Sequence, residues 1–485
     1  MRGCRIIEAA GGRNMIWNFD EYKDNTAFID DQARKVSYGE LKAEGLKLAE
    51  AAGGRCLVFS LCQNSLGSVV GYTGFVNNGI VPVMLSAGLD RELLAGLLDK
   101  YQPKYIWLPE AMVTEVAVGK ECIYRAYGYA LVSTGYDKEY ELYPDLCLLL
   151  TTSGSTGSPK FVRQSYANVE SNARSIVEYL GLDETERPIT TLPMNYTYGL
   201  SIINSHLMVG ATVLLTDATL MQKDFWTFLK EGEATSFGGV PYTYEMLDKL
   251  RFSRMDLPAL RYMNQAGGKL HPDLHRKFAE YAQEKGKRFI VMYGQCEATA
   301  RMGYLPAEKA LEKCGSMGVA IPGGSFRLID ADGRDITQAD VTGELVYEGP
   351  NVTLGYAESG MDLAKGDERN GILETGDMAR FDSDGCYYIV GRKKRFLKIY
   401  GNRVNLDEID QLIKGRFAGI DVASAGIDDH MYIFVTDGDL AKDVKNFAVE
   451  KTGLNTAAFK VIVIDKIPKN DAGKTLYKEL AKYYE

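Results

Sequence analysis

Short apolar runs alternate with amphipathic segments from about Cys56 onward. Cys56–Leu61, Val81–Leu85, Tyr105–Leu108, Leu146–Thr151, Ala211–Thr216, Ala234–Gly239, Arg261–Ala266 and Phe289–Tyr293 each have the length and apolar content of a buried strand. Between them lie helical patterns. Val169, Ala173, Ile176 and Leu180 recur every three or four positions, with Ser165 placed to cap the start and Gly181 to end the helix. Such alternation predicts an α/β fold in which parallel sheet is covered by helices on its faces. After about Cys314 the texture changes to short strands with turn signals. Gly343–Tyr347 is one; Met378–Phe381 and Cys386–Val390 form a hairpin through Asp384-Gly385, giving a small β-rich subdomain. Beyond Arg392, helix-like Leu406–Ile413 and Ala441–Lys451 alternate with strand-like Tyr432–Val435 and Lys460–Ile464, a small α+β unit. The expected division is therefore a large N-terminal domain of several subdomains over residues 1–391, then a C-terminal domain over residues 392–485.

Composition narrows the function. At 485 residues, with 46% hydrophobic and 25% charged residues, the chain has ample material for several cores and none of the bias of a disordered or fibrous protein. Its 56 Lys and Arg against 65 Asp and Glu leave a net charge of -9, which disfavours nucleic acid as a partner. The apolar stretch Val69–Leu85 is broken by Asn77, Asn78 and glycines, too short for a membrane span. The N-terminus lacks the apolar core of a signal peptide, so the expected location is the cytoplasm. Eight cysteines with no Cys-x-x-Cys pair read as mostly reduced and buried. His271 and His275 have i, i+4 spacing but no acidic or cysteine partner at ligand spacing, so they read as helix surface rather than metal ligands.

The strongest chemical signal is Thr151-Thr152-Ser153-Gly154-Ser155-Thr156-Gly157-Ser158-Pro159-Lys160, directly after the strand Leu146–Leu150. Glycines let the backbone wrap an anion, hydroxyls add donors and lysine adds charge, a composition suited to a polyphosphate. The spacing is not that of a Walker A loop. Downstream follow Gln265-Ala266-Gly267-Gly268, Tyr293-Gly294-Gln295-Cys296-Glu297, Gly343-Glu344-Leu345 through Gly349, Val352 and Gly355-Tyr356, then Thr375-Gly376-Asp377, Gly391-Arg392 and Pro468-Lys469-Asn470-Asp471-Ala472-Gly473-Lys474. In kind and order these segments resemble the motifs of the adenylate-forming superfamily: acyl-CoA synthetases, aryl-CoA ligases, luciferases and peptide-synthetase adenylation domains.

The resemblance implies ATP-dependent activation of a carboxylate to an acyl-adenylate, with pyrophosphate released, then acyl transfer to the thiol of coenzyme A or of a phosphopantetheinyl carrier protein acting in trans. It implies that Thr152, Ser153, Gly154, Ser155, Thr156, Gly157 and Lys160 hold the β- and γ-phosphates. Gly267 and Gly268 would lie along adenine and Tyr293 would stack on it, Gly294 would belong to the same ATP- and AMP-binding set, and Cys296 would stand beside the α-phosphate. Asp377 would accept hydrogen bonds from both ribose hydroxyls, with Arg392 nearby, and Glu297 would position Mg²⁺. Lys474, on a mobile C-terminal lid, would bridge the substrate carboxylate and the α-phosphate, and with Glu297 and Thr152 it forms the expected catalytic set. Lys394 stands at the family's hinge position, and rotation there would exchange the Lys474 face for one carrying Tyr400-Gly401-Asn402-Arg403, with Gly401 and Arg403 at the thiol tunnel. Lys393 and Arg395 match no motif role, and a merely solvated basic face is the competing reading for them.

Two departures matter. Cys296 stands where the family usually has Thr, weakening one α-phosphate contact by on the order of 1 kcal/mol. Tyr196, in Leu192-Pro193-Met194-Asn195-Tyr196-Thr197-Tyr198-Gly199, replaces a common His at the acyl-pocket entrance, and no Asp stands in that segment to clamp an α-amino group. The expected pocket residues are Tyr196, Tyr198 and Gly239, and an aliphatic or hydroxylated acid is favoured over an ordinary amino acid. A nucleotide-binding homologue without ligase activity and a stand-alone amino-acid-activating enzyme remain the alternatives.

Overall fold

The computed structural model describes residues 15–151, 160–400, 402–417, 419–469 and 475–484. The chain divides into two compact units, one of residues 1–152, 158–235 and 350–370, the other of residues 153–157, 236–349 and 371–485.

The first unit is built on a mixed sheet whose spatial order is Gly355–Ala357, Phe161–Ser165, Leu146–Thr151, Val81–Ser86, Leu57–Cys62, Tyr105–Pro109, Tyr129–Ser133 and Cys122–Ala126. Its centre is parallel, as the βα alternation predicts. Its flanks are antiparallel, Phe161–Ser165 against Leu146–Thr151 on one side and Tyr129–Ser133 against both its neighbours on the other. Strand periodicity sends Phe59, Leu61, Val83 and Leu85 to one face, under Leu94, Leu97 and Tyr101 of the helix Arg91–Tyr101. Cys62, Met84, Leu148 and Leu150 go to the other, under Leu66, Val69 and Val70 of the helix Leu66–Asn77. The long apolar stretch is thus a wholly buried helix followed by a strand. No described helix is long and apolar enough to cross a membrane. The helix Tyr166–Leu180 begins with a Ser165 capping box and ends at Gly181 in the left-handed conformation (φ +63°), as its sequence predicts.

Arg163 fastens the segment 350–370 to this sheet. Its side chain is fully buried, donates to the carbonyls of Tyr356 (3.0 Å), Leu354 (3.1 Å), Gly366 (3.2 Å) and Lys365, and pairs with Glu368 at 2.5 Å.

In the second unit the parallel strands Ser236–Gly239, Tyr262–Gln265 and Arg288–Tyr293 run side by side. An antiparallel sheet follows, ordered Asp335–Ile336, Ser325–Ile329, Gly343–Glu348, Ile372–Phe381 and Tyr387–Arg392. The predicted hairpin is present, but its arms meet at Phe381 and Tyr387 across a wider loop in which the Asp382 carboxylate accepts from the backbone amides of Asp384 and Cys386 (both 3.0 Å). The C-terminal part packs the helices Leu406–Arg416 and Ala441–Thr452 with the sheet Val422–Ile427, His430–Val435 and Phe459–Val463 around Ile409, Ile413, Ile433 and Val444.

Two sequence expectations need correction. His271 is not on the helix surface: it precedes the helix Pro272–Glu284 and caps it, its Nδ1 accepting from the Asp273 amide at 3.3 Å. His275 faces inward, 1% exposed and edge-on to Phe289, and burial lowers its pKa. Proline at the first helical position puts the cap one residue earlier, outside the helix. The seven described cysteines form no disulfide, four of them buried and Cys56, Cys122 and Cys314 only partly so.

Candidate active site

Within the second unit, motif residues far apart in sequence converge on one carboxylate. Thr375-Gly376-Asp377 sits mid-way along the strand Ile372–Phe381, where the register against Gly343–Glu348 slips between Glu344 and Val346. Gly376 takes φ +69° at this bulge, which a side chain would strain. The Thr375 hydroxyl closes the bulge by donating to the Leu345 carbonyl (2.8 Å) and accepting from the Asp377 amide (3.1 Å). Asp377 is directly paired across the hairpin with Arg392, so strand register alone brings the two side chains together. Arg392 Nε lies 2.8 Å from Asp377 Oδ1, with the carboxylate 3% exposed and the guanidinium 60% exposed. The charge of Asp377 above all, with Tyr293, Asp407 and Glu297 adding to it, raises the Arg392 pKa.

The other carboxylate oxygen is held from the strand Arg288–Tyr293. The Tyr293 hydroxyl donates to Asp377 Oδ2 at 2.5 Å, and Gln295 Nε2 donates to the same oxygen at 2.8 Å and to the Thr375 carbonyl at 3.0 Å. Burial first, and the adjacent Asp377 second, push the Tyr293 pKa well up. Gly294 between them is required for space, since a Cβ there would stand 1.6 Å from the Ala300 carbonyl oxygen. Cys296–Ala298 then makes a 3₁₀ turn that ends in two left-handed residues, Thr299 (φ 53°) and Ala300 (φ 91°). Such conformations cost on the order of 1–3 kcal/mol each, and they hold half-buried Glu297 in a fixed turn. Cys296 is buried, 7% exposed.

The Gly-rich segment follows the strand Tyr262–Gln265, with Gly267 at φ +83°. Gln265 folds its Nε2 onto the Gly268 carbonyl (2.8 Å), leaving its buried Oε1 without a partner.

In the first unit the strands that flank the phosphate-loop motif pair antiparallel, with Thr151 facing Phe161. Residues 152–159 lie outside the described residues. Lys160 is described: its Nζ lies 3.6 Å over the Tyr356 ring. Lys474 and Gly401 lie outside the described residues too, and only the backbone of Arg403 is described, in the strand Asn402–Asn405. The segment before Lys474 is bounded by an antiparallel bridge between Lys469 and Thr475. Lys394 is exposed in the turn Lys393–Arg395. Its neighbours differ: Lys393 stays exposed while pairing with Glu344 at 2.6 Å, whereas Arg395 is largely buried and pairs with Asp407 (2.8 Å) and Asp410 (3.1 Å).

Tyr196 and Tyr198 form an edge-on pair 6.3 Å apart at the start of the helix Thr197–Leu207, with Tyr198 buried. A cavity of about 380 Å³ touches the preceding Pro193, Met194 and Asn195 without being lined by either tyrosine. Gly239 is glycine for a packing reason: a Cβ would stand 2.8–2.9 Å from Thr243 and Tyr244 of the following helix. Among the described residues no group of three or more His, Cys, Asp and Glu side chains is disposed to hold a metal ion. Mg²⁺ bound chiefly through substrate phosphates needs only one or two protein carboxylates, and Glu297 would be the candidate. The residue missed in the sequence is Gln295. It lies inside a recognised motif, but nothing local says that its amide reaches a strand some 80 positions away.

The model of the AMP-binding enzyme family matches residues 16–357, well over half of the chain. The chain belongs to the AMP-binding enzyme family. A 2-succinylbenzoate–CoA ligase of Bacillus mycoides is 27% identical over 478 residues, covering 96% of this chain and 95% of that protein. An oxalate–CoA ligase of Arabidopsis thaliana is 28% identical over 358 residues, 70% of this chain and 68% of the relative. Among solved structures, the o-succinylbenzoate CoA synthetase of Bacillus subtilis in complex with its acyl-adenylate intermediate superposes with a TM-score of 0.78 at 22% identity, covering 97% of this chain and 98% of that one. ATP-bound MatB from Rhodopseudomonas palustris gives 0.75 at 22%, covering 98% and 99%. The AMP-binding fold therefore extends over nearly the whole chain.

Proposed function

We propose that this AMP-binding enzyme is an AMP-forming acid–thiol ligase that activates a carboxylic acid with ATP and passes the acyl group to coenzyme A. The observation that carries this is the convergence of Tyr293, Gln295 and Arg392 on Asp377 in the second unit, in a chain of this family whose relatives are CoA ligases. A substrate carboxylate oxygen attacks the α-phosphorus, the bond to the β-phosphate oxygen breaks, and pyrophosphate leaves. The coenzyme A thiolate then attacks the acyl carbon, and AMP leaves with the electron pair of the acyl–phosphate bond.

Two anions must meet, so the reaction needs oriented donors and cations. In this reading residues Thr152–Gly157 and Lys160 hold the β- and γ-phosphates, Tyr293, Gly267 and Gly268 flank adenine, and Asp377 with Arg392 takes the ribose. Mg²⁺, when bound beside Glu297, neutralises phosphate charge. Lys474 bridges the acid and the α-phosphate. Residues 392–485 turn about Lys394 between the two half-reactions, bringing Gly401 and Arg403 to the thiol. Tyr196 and Tyr198 border the acid, whereas the tight packing at Gly239 supports a structural role there.

The test is pyrophosphate release from ATP and Mg²⁺ across a panel of carboxylic acids, with coenzyme A or carrier proteins as acceptors. The expected result is acid-dependent pyrophosphate release and a thioester of coenzyme A. Tight ATP binding without release for any acid would favour the nucleotide-binding homologue, and thioesters formed only on carrier proteins would move the acceptor.

A further inference from the structure

Within the second unit, Asn405 ties the two sides of Lys394 together. Its buried side chain has two partners. Oδ1 accepts from the Asp407 amide at 3.0 Å, capping the helix Leu406–Arg416, and Nδ2 donates back to the Val390 carbonyl, in the strand Tyr387–Arg392 that precedes the hinge. Strand pairing sets Asn405 opposite Phe396, two residues past Lys394, so the contact sits beside the pivot. Gly391 makes room for it. The atoms nearest to a Cβ there would be Asn405 Nδ2 and Oδ1, both at 2.7 Å, and the φ of Gly391 is not a left-handed one that would itself demand glycine. Asp407 reaches back as well, its Oδ2 accepting from the Arg392 amide at 3.3 Å. By contrast, the Lys393–Glu344 pair lies wholly ahead of the hinge and the pairs of Arg395 with Asp407 and Asp410 wholly behind it, so neither opposes a rotation at Lys394.

We propose that Asn405 is a positioning residue: its bond to the Val390 carbonyl, seated against Gly391, latches the C-terminal part in one of the two orientations that the half-reactions require. The inference rests on the reading above, in which that part turns about Lys394, and deepens it by naming what holds one orientation. Exchanging the Lys474 face for the Gly401 face is a large rotation, and a hydrogen bond weakens steeply as its angle closes, so the Asn405–Val390 bond is lost in the other orientation. One net hydrogen bond shifts a two-state equilibrium by roughly 2- to 10-fold. The ratio of the two half-reaction rates follows that equilibrium, whereas a general loss of structure lowers both rates together.

The experiment measures the two half-reactions separately on the full chain. One is ATP–pyrophosphate exchange with the acid that gives the fastest pyrophosphate release in the panel above; the other is thioester formation from the supplied adenylate of that acid and coenzyme A. Asn405→Ser is the main variant, because serine caps a helix about as well as asparagine but is too short to reach the Val390 carbonyl. Gly391→Ala presses on the same contact from the other side of the hinge, by setting a methyl against the Asn405 amide, and it covers the case in which Asn405→Ser does not fold. Each is expected to change the ratio of the two rates by about 3- to 10-fold in the same direction, slowing the half-reaction of the latched orientation relative to the other. In the double variant serine leaves space for the alanine methyl, so the ratio is expected to match that of Asn405→Ser alone. A ratio within about twofold of the wild type in the folded single variants, with both rates intact or both reduced together, overturns the latch. So do shifts in opposite directions, or shifts that multiply in the double variant. No exchange with any acid, or no thioester on coenzyme A, in the wild type is a different result, and it removes the ligase reading above and the latch with it.

Discussion

Arg395 is the first residue after the proposed hinge lysine, and replacing it with alanine is the most informative single perturbation of the C-terminal part. Its side chain is 12% exposed, and it donates to Asp407 (2.8 Å), Asp410 (3.1 Å) and the Ser424 carbonyl (2.6 Å) while lying 3.7 Å over the Tyr477 ring. Removing one partner of a buried ion pair costs about 3–5 kcal/mol, because the other charge is left in a poorly solvated place. Here the stranded group is Asp410, 8% exposed, whose carboxyl burial pushes up to about 7 even with Arg395 pulling it down. An unfolded aspartate titrates near about 3.9. The folded chain therefore keeps a proton that the unfolded chain loses. The stability from this group is fully present below about pH 4 and is lost as pH rises through about 7, about 4 kcal/mol in all at 1.36 kcal/mol per unit. Without Arg395 the folded value rises further and the loss extends above neutrality. Arg395→Ala is therefore expected to destabilise by about 3–5 kcal/mol near pH 8, but by only about 1–2 kcal/mol near pH 5.5, where Asp410 is protonated and what is missing is the half-buried Asp407 pair, the donor to the Ser424 carbonyl, packing and the stacked cation. The three tryptophans, Trp17, Trp107 and Trp226, all lie in the first unit, so the readout is hydrogen exchange of the strand His430–Val435 at both pH values. Adding Asp410→Asn to the variant is expected to restore part of the stability near pH 8. A loss below about 1 kcal/mol near pH 8, or an equal loss at both pH values, would refute this account of the cluster.

Four further outcomes are expected. Lys474→Ala abolishes carboxylate-dependent ATP–pyrophosphate exchange while largely sparing thioester formation from supplied acyl-adenylate; near-normal exchange would remove Lys474 from the mechanism. Arg163→Ala strips the donor from the carbonyls of Leu354, Tyr356, Lys365 and Gly366 and is expected to cost about 3–5 kcal/mol, read by tryptophan fluorescence in urea, with an unchanged midpoint as the contrary result. Chelating Mg²⁺ abolishes exchange, whereas Cys296→Thr changes the rate by no more than about tenfold, since one neutral hydrogen bond is at stake; a larger gain would mean that the thiol limits the wild-type enzyme.

The sequence by itself determined the kinds of element and their order. The capping box at Ser165 and the stop at Gly181 are local chemistry, settled by hydrogen bonds within a few residues. The ordered motifs likewise identified the family, because motif chemistry is carried by contiguous residues. Tertiary structure decided which of those residues meet. Asp377 faces Arg392 because of hairpin register, and Gln295 reaches Asp377 across 82 positions because folding brings the end of the strand Arg288–Tyr293 to the middle of the strand Ile372–Phe381. It also decided orientation: His275 turns inward because its helix starts at Pro272, and Arg395 is drawn from an apparently solvated basic run into a buried ion-pair cluster. Local propensities and contiguous motifs act over a few bonds and can be read from neighbours, whereas register, burial and the sharing of lone pairs depend on residues brought together only by folding.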